Sequence, residues 1–271
     1  MSNPPLGASI VLVHGLFGFG QLKHAGVGVA DYFRLIPDAL RAEGHLVPEP
    51  PSLNTAGSIA ERAADLKKYL DNRPELAGRQ VHLVAHSMGG LDSRFMISKL
   101  DMAERLLSLI TIGTPHRGSP IADLVGTAAP PGFDQVIESA GIDIKGIADL
   151  TTTACARFNQ EVLDSPKVRY FSIAGRFEPS RVLGVPVGVL ALTHDIVRSK
   201  EGDNDGAVSV ESARFGQRQE NWTFLGTWHV NHFRQINWGT DILLTPSEES
   251  DNTIVEKYKA LAVRLRNLPR Q

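Results

Sequence analysis

Cysteine is almost missing from this chain: Cys155 stands alone among 271 residues. One thiol cannot close an intrachain disulfide, so the fold must rest on its core, and the composition suits a reducing compartment. Long apolar runs are missing as well. None approaches the ~18 residues that a bilayer-spanning helix needs. The opening stretch MSNPPLGASIVLVHG has neither the basic start nor the apolar length of a secretion leader. These absences lead to the expectation of a cytoplasmic protein. Charge of one sign is also lacking. There are 28 Lys and Arg against 30 Asp and Glu, a net charge of −2, and no Lys/Arg-rich run. That removes the electrostatic case for nucleic acid as a partner. The sequence holds no internal repeat and no low-complexity tract.

What is present is a hydrophobic content of 42%, enough for one sizeable core, and residues 1–271 read as a single domain. Apolar runs of strand length alternate with amphipathic helical stretches. SIVLV (9–13), HLVPEP (45–50), VHLVA (81–85), LLSLITI (106–112), RYFSIAG (169–175) and WTFLGTW (222–228) read as strands. Pro37 suits the first turn of a helix through DALRAE that Gly44 ends. Ser58 and Glu61 form a capping-box pattern before RAADLKKYL. Ile254, Val255, Tyr258, Leu261, Ala262 and Leu265 recur at helical spacing near the C-terminus. This alternation predicts an α/β fold, a mainly parallel sheet flanked by helices. Between about 116 and 165 the pattern turns Gly/Ala/Pro-rich, with short helical pieces and no clear strand, and reads as an insertion over the sheet's C-terminal edge.

The stretch HLVAHSMGG (82–90) places Ser87 between a buried strand and the start of a helix. A hydroxyl there sits at the mouth of the sheet, beside a positive helix N-terminus. Ala85 and Gly89 flank it at minus two and plus two, the nucleophile-elbow pattern with Ala in place of the first glycine. A serine that merely caps a helix would look similar. A nucleophilic serine also needs a base, an orienting acid and oxyanion donors. The first strand ends in VHGLFGFG (13–20), a loop whose N–H groups can point into a cavity. The oxyanion donors would be the N–H groups of Leu16, in that loop, and Met88, which follows the serine. A phosphate cradle is a poor reading of the loop, since no P-loop lysine pattern accompanies it.

The acid should follow the serine and the histidine should come last. EGDNDGAVSVESA (201–213) offers Asp203 and Asp205, and TWHVNHFRQ (227–235) offers His229 and His232. The order favours Asp205 as acid and His232 as base, with Asp203, Asp195 and His229 as alternatives.

VHGLFGFG, AHSMGG, IGTPHRGSP (112–120), NDGAVSVESA (204–213) and NHF (231–233), in this order, resemble the bacterial true lipases of the Pseudomonas and Burkholderia type, within the α/β-hydrolase superfamily. The resemblance covers nearly the whole chain. It implies an α/β-hydrolase fold with a helical lid or cap at about 116–165. It also implies nucleophile Ser87, acid Asp205, base His232, and oxyanion donors Leu16 and Met88. The expected activity is hydrolysis of carboxylic esters with apolar acyl groups, on an ester or lipid substrate with transient contact to a lipid interface, and with no cofactor. Acyltransferase, thioesterase and polyester hydrolase are rival uses of the same residues. Many relatives hold a structural calcium through a carboxylate two residues after the histidine. Arg234 stands at that position here, so no metal is expected there, with Asp195, Asp203 and Asp241 left as other carboxylates for such a site.

Overall fold

The structure is a computed structural model and describes residues 8–16, 32–54, 57–124, 144–179, 181–182, 185–186, 189–216, 221–238 and 251–268. Its strands are β1 (Ser9–Val13), β2 (Val81–His86), β3 (Leu106–Ile112), β4 (Arg169–Gly175), β5 (Arg181–Val182), β6 (Val185–Pro186) and β7 (Trp222–Trp228). Five of them form one sheet in the order β1-β2-β3-β4-β7, each pair parallel, and β5 and β6 form a two-residue antiparallel hairpin.

The four strands β1 to β4 are mostly apolar and buried because both faces are covered, with buried polar exceptions such as His82, Ser108, Thr111 and Ser172. Side chains alternate across the sheet. Ile10, Leu12, Val84, Ile110, Ile112, Phe171 and Ile173 enter one core cluster, and Val11, Val13, Leu83, Ala85, Leu109 and Tyr170 enter another.

The helices are α1 (Ile36–Ala42), α2 (Ile59–Asn72), α3 (Gly89–Lys99), α4 (Ile144–Ile147), α5 (Thr152–Glu161), α6 (Val189–Glu201), α7 (Val210–Ala213) and α8 (Asp251–Arg266). α1 and α8 cover the first face through Ile36, Leu40, Ile254, Tyr258, Leu261 and Leu265. α2 and α3 cover the second through Ala63, Leu66, Leu70, Met96 and Ile97. The capping box before α2 forms as the sequence suggests: Glu61 N donates to Ser58 Oγ, and Ser58 N donates to the Glu61 carboxylate. Pro37 lies in the first turn of α1, and Gly44 follows it at a φ of +85°.

One expectation is corrected. Residues 45–50 form no strand. Only the Leu46 carbonyl meets β1, accepting from Ile10 N at 2.9 Å, because Pro48, Pro50 and Pro51 have no N–H to give a ladder.

The described parts of the insertion, 116–124 and 144–165, hold short helices and no strand, and 125–143 lie outside the described residues. They pack down onto the body. Ile121, Leu124, Ile147 and Leu150 join one apolar cluster with Leu16, Met88 and Leu91. A buried ion pair fixes the segment after α5: Arg94 Nε of α3 lies 3.0 Å from Asp164 Oδ1, and its Nη1 donates to Asn159 at 2.8 Å.

Leu66 and Leu163 carry the same side chain in opposite settings, the first fully buried and the second 68% exposed. Leu66→Ala should cost about 2–5 kcal/mol of unfolding free energy. Leu163→Ala should stay within about 0.5 kcal/mol of wild type. Urea titrations of the two variants check this, and equal losses would contradict the assigned core.

Candidate active site

Ser87 sits in the tight turn between β2 and α3 with a φ of +56°, the left-handed region that side chains rarely adopt. Hydrogen bonds hold it there. Its N–H donates to Ile112 O at 2.9 Å, and its carbonyl accepts from Gly90 N at 3.1 Å and Thr114 Oγ1 at 2.8 Å. The neighbours leave no room for side chains. A Cβ on Gly89 would lie 2.7 Å from the His14 carbonyl oxygen, and one on Gly15 2.6 Å from Ser87 Cβ. Ala85, where the elbow pattern has a glycine, is tolerated because its methyl points into the α2–α3 core.

The three residues picked from sequence order meet here. His232 Nε2 lies 3.0 Å from Ser87 Oγ, and His232 Nδ1 lies 2.8 Å from Asp205 Oδ2. All three are buried. Asp205 accepts on every side: Oδ1 takes the N–H groups of Ala207 and Val208 at 2.9 and 2.8 Å, and Oδ2 takes Gln235 Nε2 at 2.6 Å as well as the imidazole. Four donors fix the rotation of this carboxylate. Sequence reasoning missed Gln235. Its space comes from Gly113 and Gly175 at the ends of β3 and β4, where a Cβ would fall 2.2 and 2.1 Å from the Gln235 amide.

The alternatives lie elsewhere. Asp203 pairs with Arg176 at 3.0 Å, and the same guanidinium reaches His229 Nε2 at 3.3 Å, in an exposed cluster beside the acid loop. Asp195 neighbours His194 on α6 at 3.3 Å. Asp241 lies outside the described residues, as do Gly18 and Gly20.

The loop after β1 is tied down from beneath. Arg62 of α2 is completely buried and donates to the carbonyls of His14 at 2.9 Å and Gly15 at 3.3 Å. Its Nε and Nη2 both lie 2.8 Å from Asp92 Oδ2. Burial pushes Asp92 up to about 7 while the guanidinium pulls it back. With its carbonyls turned toward Arg62, the loop is free to present N–H groups on the other side. Among the described residues neither the Leu16 nor the Met88 N–H has an acceptor. Both side chains are buried in the cluster that Ile121, Ala122, Ile147, Cys155 and Val197 complete. Gly146 of α4 is pressed so close that a Cβ there would lie 2.5 Å from Leu16 Cδ2.

This assembly of a strained serine after a central parallel strand, with a histidine and a carboxylate on later loops, fits one family, and residues 10–264 match the model of the alpha/beta hydrolase family. The chain belongs to the α/β-hydrolase family. It is 36% identical over 191 residues to triacylglycerol lipase 2 of Saccharomyces cerevisiae, covering 67% of this chain and 55% of that protein. It thus spans little more than half of that relative. It is 27% identical over 265 residues to a triacylglycerol lipase of Vibrio cholerae, covering 84% of this chain and 79% of the relative. In fold, the chain resembles the mature Bacillus licheniformis lipase BlEst2, with a TM-score of 0.71, 23% identity and coverage of 96% and 94% of the two chains. The Staphylococcus hyicus lipase gives a TM-score of 0.73 at 19% identity and covers 98% of each.

The calcium implied by the lipase resemblance does not fit these residues. Arg234 is buried at the position where a carboxylate ligand would stand, and a guanidinium repels the ion. Among the described residues no group of three or more His, Cys, Asp or Glu could hold a metal ion.

Several buried histidines are neutral. Burial, reinforced by Arg62, lowers His14 from 6.5 to about 3, and burial with His45 lowers His82 to about 4. His86 and His116 are also driven well below 6.5, chiefly by burial. In the unfolded chain all four titrate near 6.5, so the unfolded state binds more protons below that value. Stability present above pH 6.5 should therefore fall as pH drops toward about 4, each group contributing up to about 1.4 kcal/mol per pH unit. Urea midpoints at pH 7, 6 and 5 check this. A flat profile would mean that these imidazoles are not held neutral.

Proposed function

We propose that this protein is a carboxylic ester hydrolase of the lipase and esterase kind, acting through an acyl-Ser87 intermediate. The observation that carries this reading is the buried hydrogen-bonded line from Ser87 Oγ through His232 to Asp205. As Oγ attacks the ester carbonyl, its proton passes to His232 Nε2. Asp205 holds the other ring nitrogen, fixes the tautomer and stabilises the imidazolium. The carbonyl oxygen turns toward the Leu16 and Met88 N–H groups, each worth about 3 kcal/mol by analogy with other oxyanion donors. His232 returns the proton to the departing alcohol. It then activates a water molecule that releases the acid from Ser87.

The apolar cluster that holds Leu16 and Met88 supports an apolar acyl group in preference to a charged one. The names of the yeast and Vibrio relatives support the same substrate class. The described parts of the insertion, 116–124 and 144–165, serve as cover for this site, on the strength of Ile121, Ile147 and Leu150 packing beside Leu16 and Met88.

The test is hydrolysis of p-nitrophenyl esters from acetate to palmitate. Wild type should turn them over, and Ser87→Ala and His232→Ala should each lower kcat by at least about 10³-fold with the fold intact by circular dichroism. Asp205→Asn should fall by about 10⁴-fold, because the amide favours the wrong imidazole tautomer. Ser87→Ala turning over at the wild-type rate would overturn the proposal.

A further inference from the structure

His86 precedes the nucleophile and takes no part in the chemistry above, yet it is completely buried and bonded at both ring nitrogens. Its Nε2 lies 3.1 Å from the main-chain oxygen of His232, and its Nδ1 lies 2.8 Å from the Tyr32 hydroxyl. That hydroxyl accepts the N–H of Gly15 at 3.1 Å. The line thus joins three places far apart in sequence: the loop after β1, the end of β2 and the loop that carries the base.

The chemistry of the partners fixes each proton on this line. A carbonyl only accepts, so His86 Nε2 must carry the hydrogen. In a neutral ring Nδ1 is then an acceptor, and the Tyr32 hydroxyl donates to it. The phenol oxygen keeps a lone pair for Gly15. A protonated His86 would place two donors against each other at Tyr32. It would also set a positive ring against His232, whose ring centroid lies 4.6 Å away and which must itself become positive during the reaction. Burial, and next the proximity of His232, drive His86 well below its ordinary titration range, in keeping with a neutral ring. Tyr32 is anchored in turn, its carbonyl accepting from Trp238 Nε1 at 3.0 Å.

We propose that His86 and Tyr32 are positioning residues: as one hydrogen-bonded line, they fix the oxyanion loop at Gly15 and the base at the His232 carbonyl relative to each other. The proposal rests on the assignment of Ser87 and His232 as reacting groups. Gly15 immediately precedes the proposed donor Leu16, and Ser87 lies between the two loops being tied. Loosening the line shifts the donor and the base independently, and the transition state needs both at once. His86 and Tyr32 are both buried, so the loss of these positioning residues should act on kcat more than on KM.

Four variants test this on p-nitrophenyl butyrate. Tyr32→Phe keeps the ring and removes only the hydroxyl; kcat should fall about tenfold with KM within about twofold of wild type. His86→Leu should fall about 100-fold, a loss typical of small misplacement near reacting groups. His86→Gln keeps an amide that can donate to the His232 carbonyl and should recover most of that loss. The double variant Tyr32→Phe/His86→Leu should be no slower than His86→Leu alone, because both changes break one line. Tyr32→Phe within about twofold of wild type, or His86→Gln no faster than His86→Leu, would overturn the positioning role.

A second readout needs no variant. In long-range ¹H–¹⁵N spectra of histidine-labelled wild type, His86 should show the Nε2–H form and no titration between pH 8 and 5. An Nδ1–H or titrating ring would overturn the proposal even if His86→Leu fails to fold. The two layers separate cleanly. Wild type inert on every ester defeats the hydrolase reading and this inference with it, whereas active wild type with an unaffected Tyr32→Phe defeats only the inference.

Discussion

The left-handed backbone of Ser87 is the constraint on which the rest of the site depends. A non-glycine residue at a φ of +56° is strained and persists only where its surroundings over-determine it. Here they do. The Ser87 amide is anchored to Ile112 in the neighbouring strand, its carbonyl is held by Thr114 and Gly90, and Gly15 and Gly89 let two other backbones approach within van der Waals contact. The turn points Oγ away from the strand toward His232 and places Met88 N–H at the start of α3, where the helix dipole favours negative charge.

The sheet converts that local geometry into an arrangement of distant residues. Because β1, β2, β3, β4 and β7 run parallel, their following loops emerge along one edge. The loop proposed to hold an oxyanion donor follows β1, Ser87 follows β2, Gly113 and Gly175 end β3 and β4, and His232 follows β7. The buried charges in this edge have partners, although among the described residues Asp92 Oδ1 and Gln235 Oε1 accept no hydrogen bond. Arg62 meets Asp92 and two loop carbonyls, and Asp205 meets two amides, Gln235 and His232. The low polarity around them makes these bonds strong, and it makes a missing partner costly. The His86–Tyr32 line belongs to the same set of satisfied bonds.

Much of this was legible in the sequence because the signals were local. Buried parallel strands are mostly apolar runs, and each of the five in the main sheet shows as a short apolar-rich stretch. The elbow shows itself in six consecutive residues. Asp205 and His232 could be ordered along the chain, but Asp203 and His229 were equally good local candidates, and only packing separates an exposed cluster around Arg176 from the buried pair. The residues that escaped are those whose contacts are long-range. Tyr32 meets His86 across 54 residues, Arg62 meets the His14 carbonyl across 48, and Gln235 meets Asp205 across 30. No spacing rule links such pairs. The failed strand at 45–50 was an error of another kind. The prolines in 48–51 argued against a ladder.

The most direct test of Ser87 as an activated nucleophile is covalent trapping. Incubation with a fluorophosphonate, followed by digestion and peptide mass mapping, should place one phosphonyl group per chain on Ser87, with no labelling after denaturation or in His232→Ala. Labelling at another residue, or no labelling of folded wild type, would contradict the account.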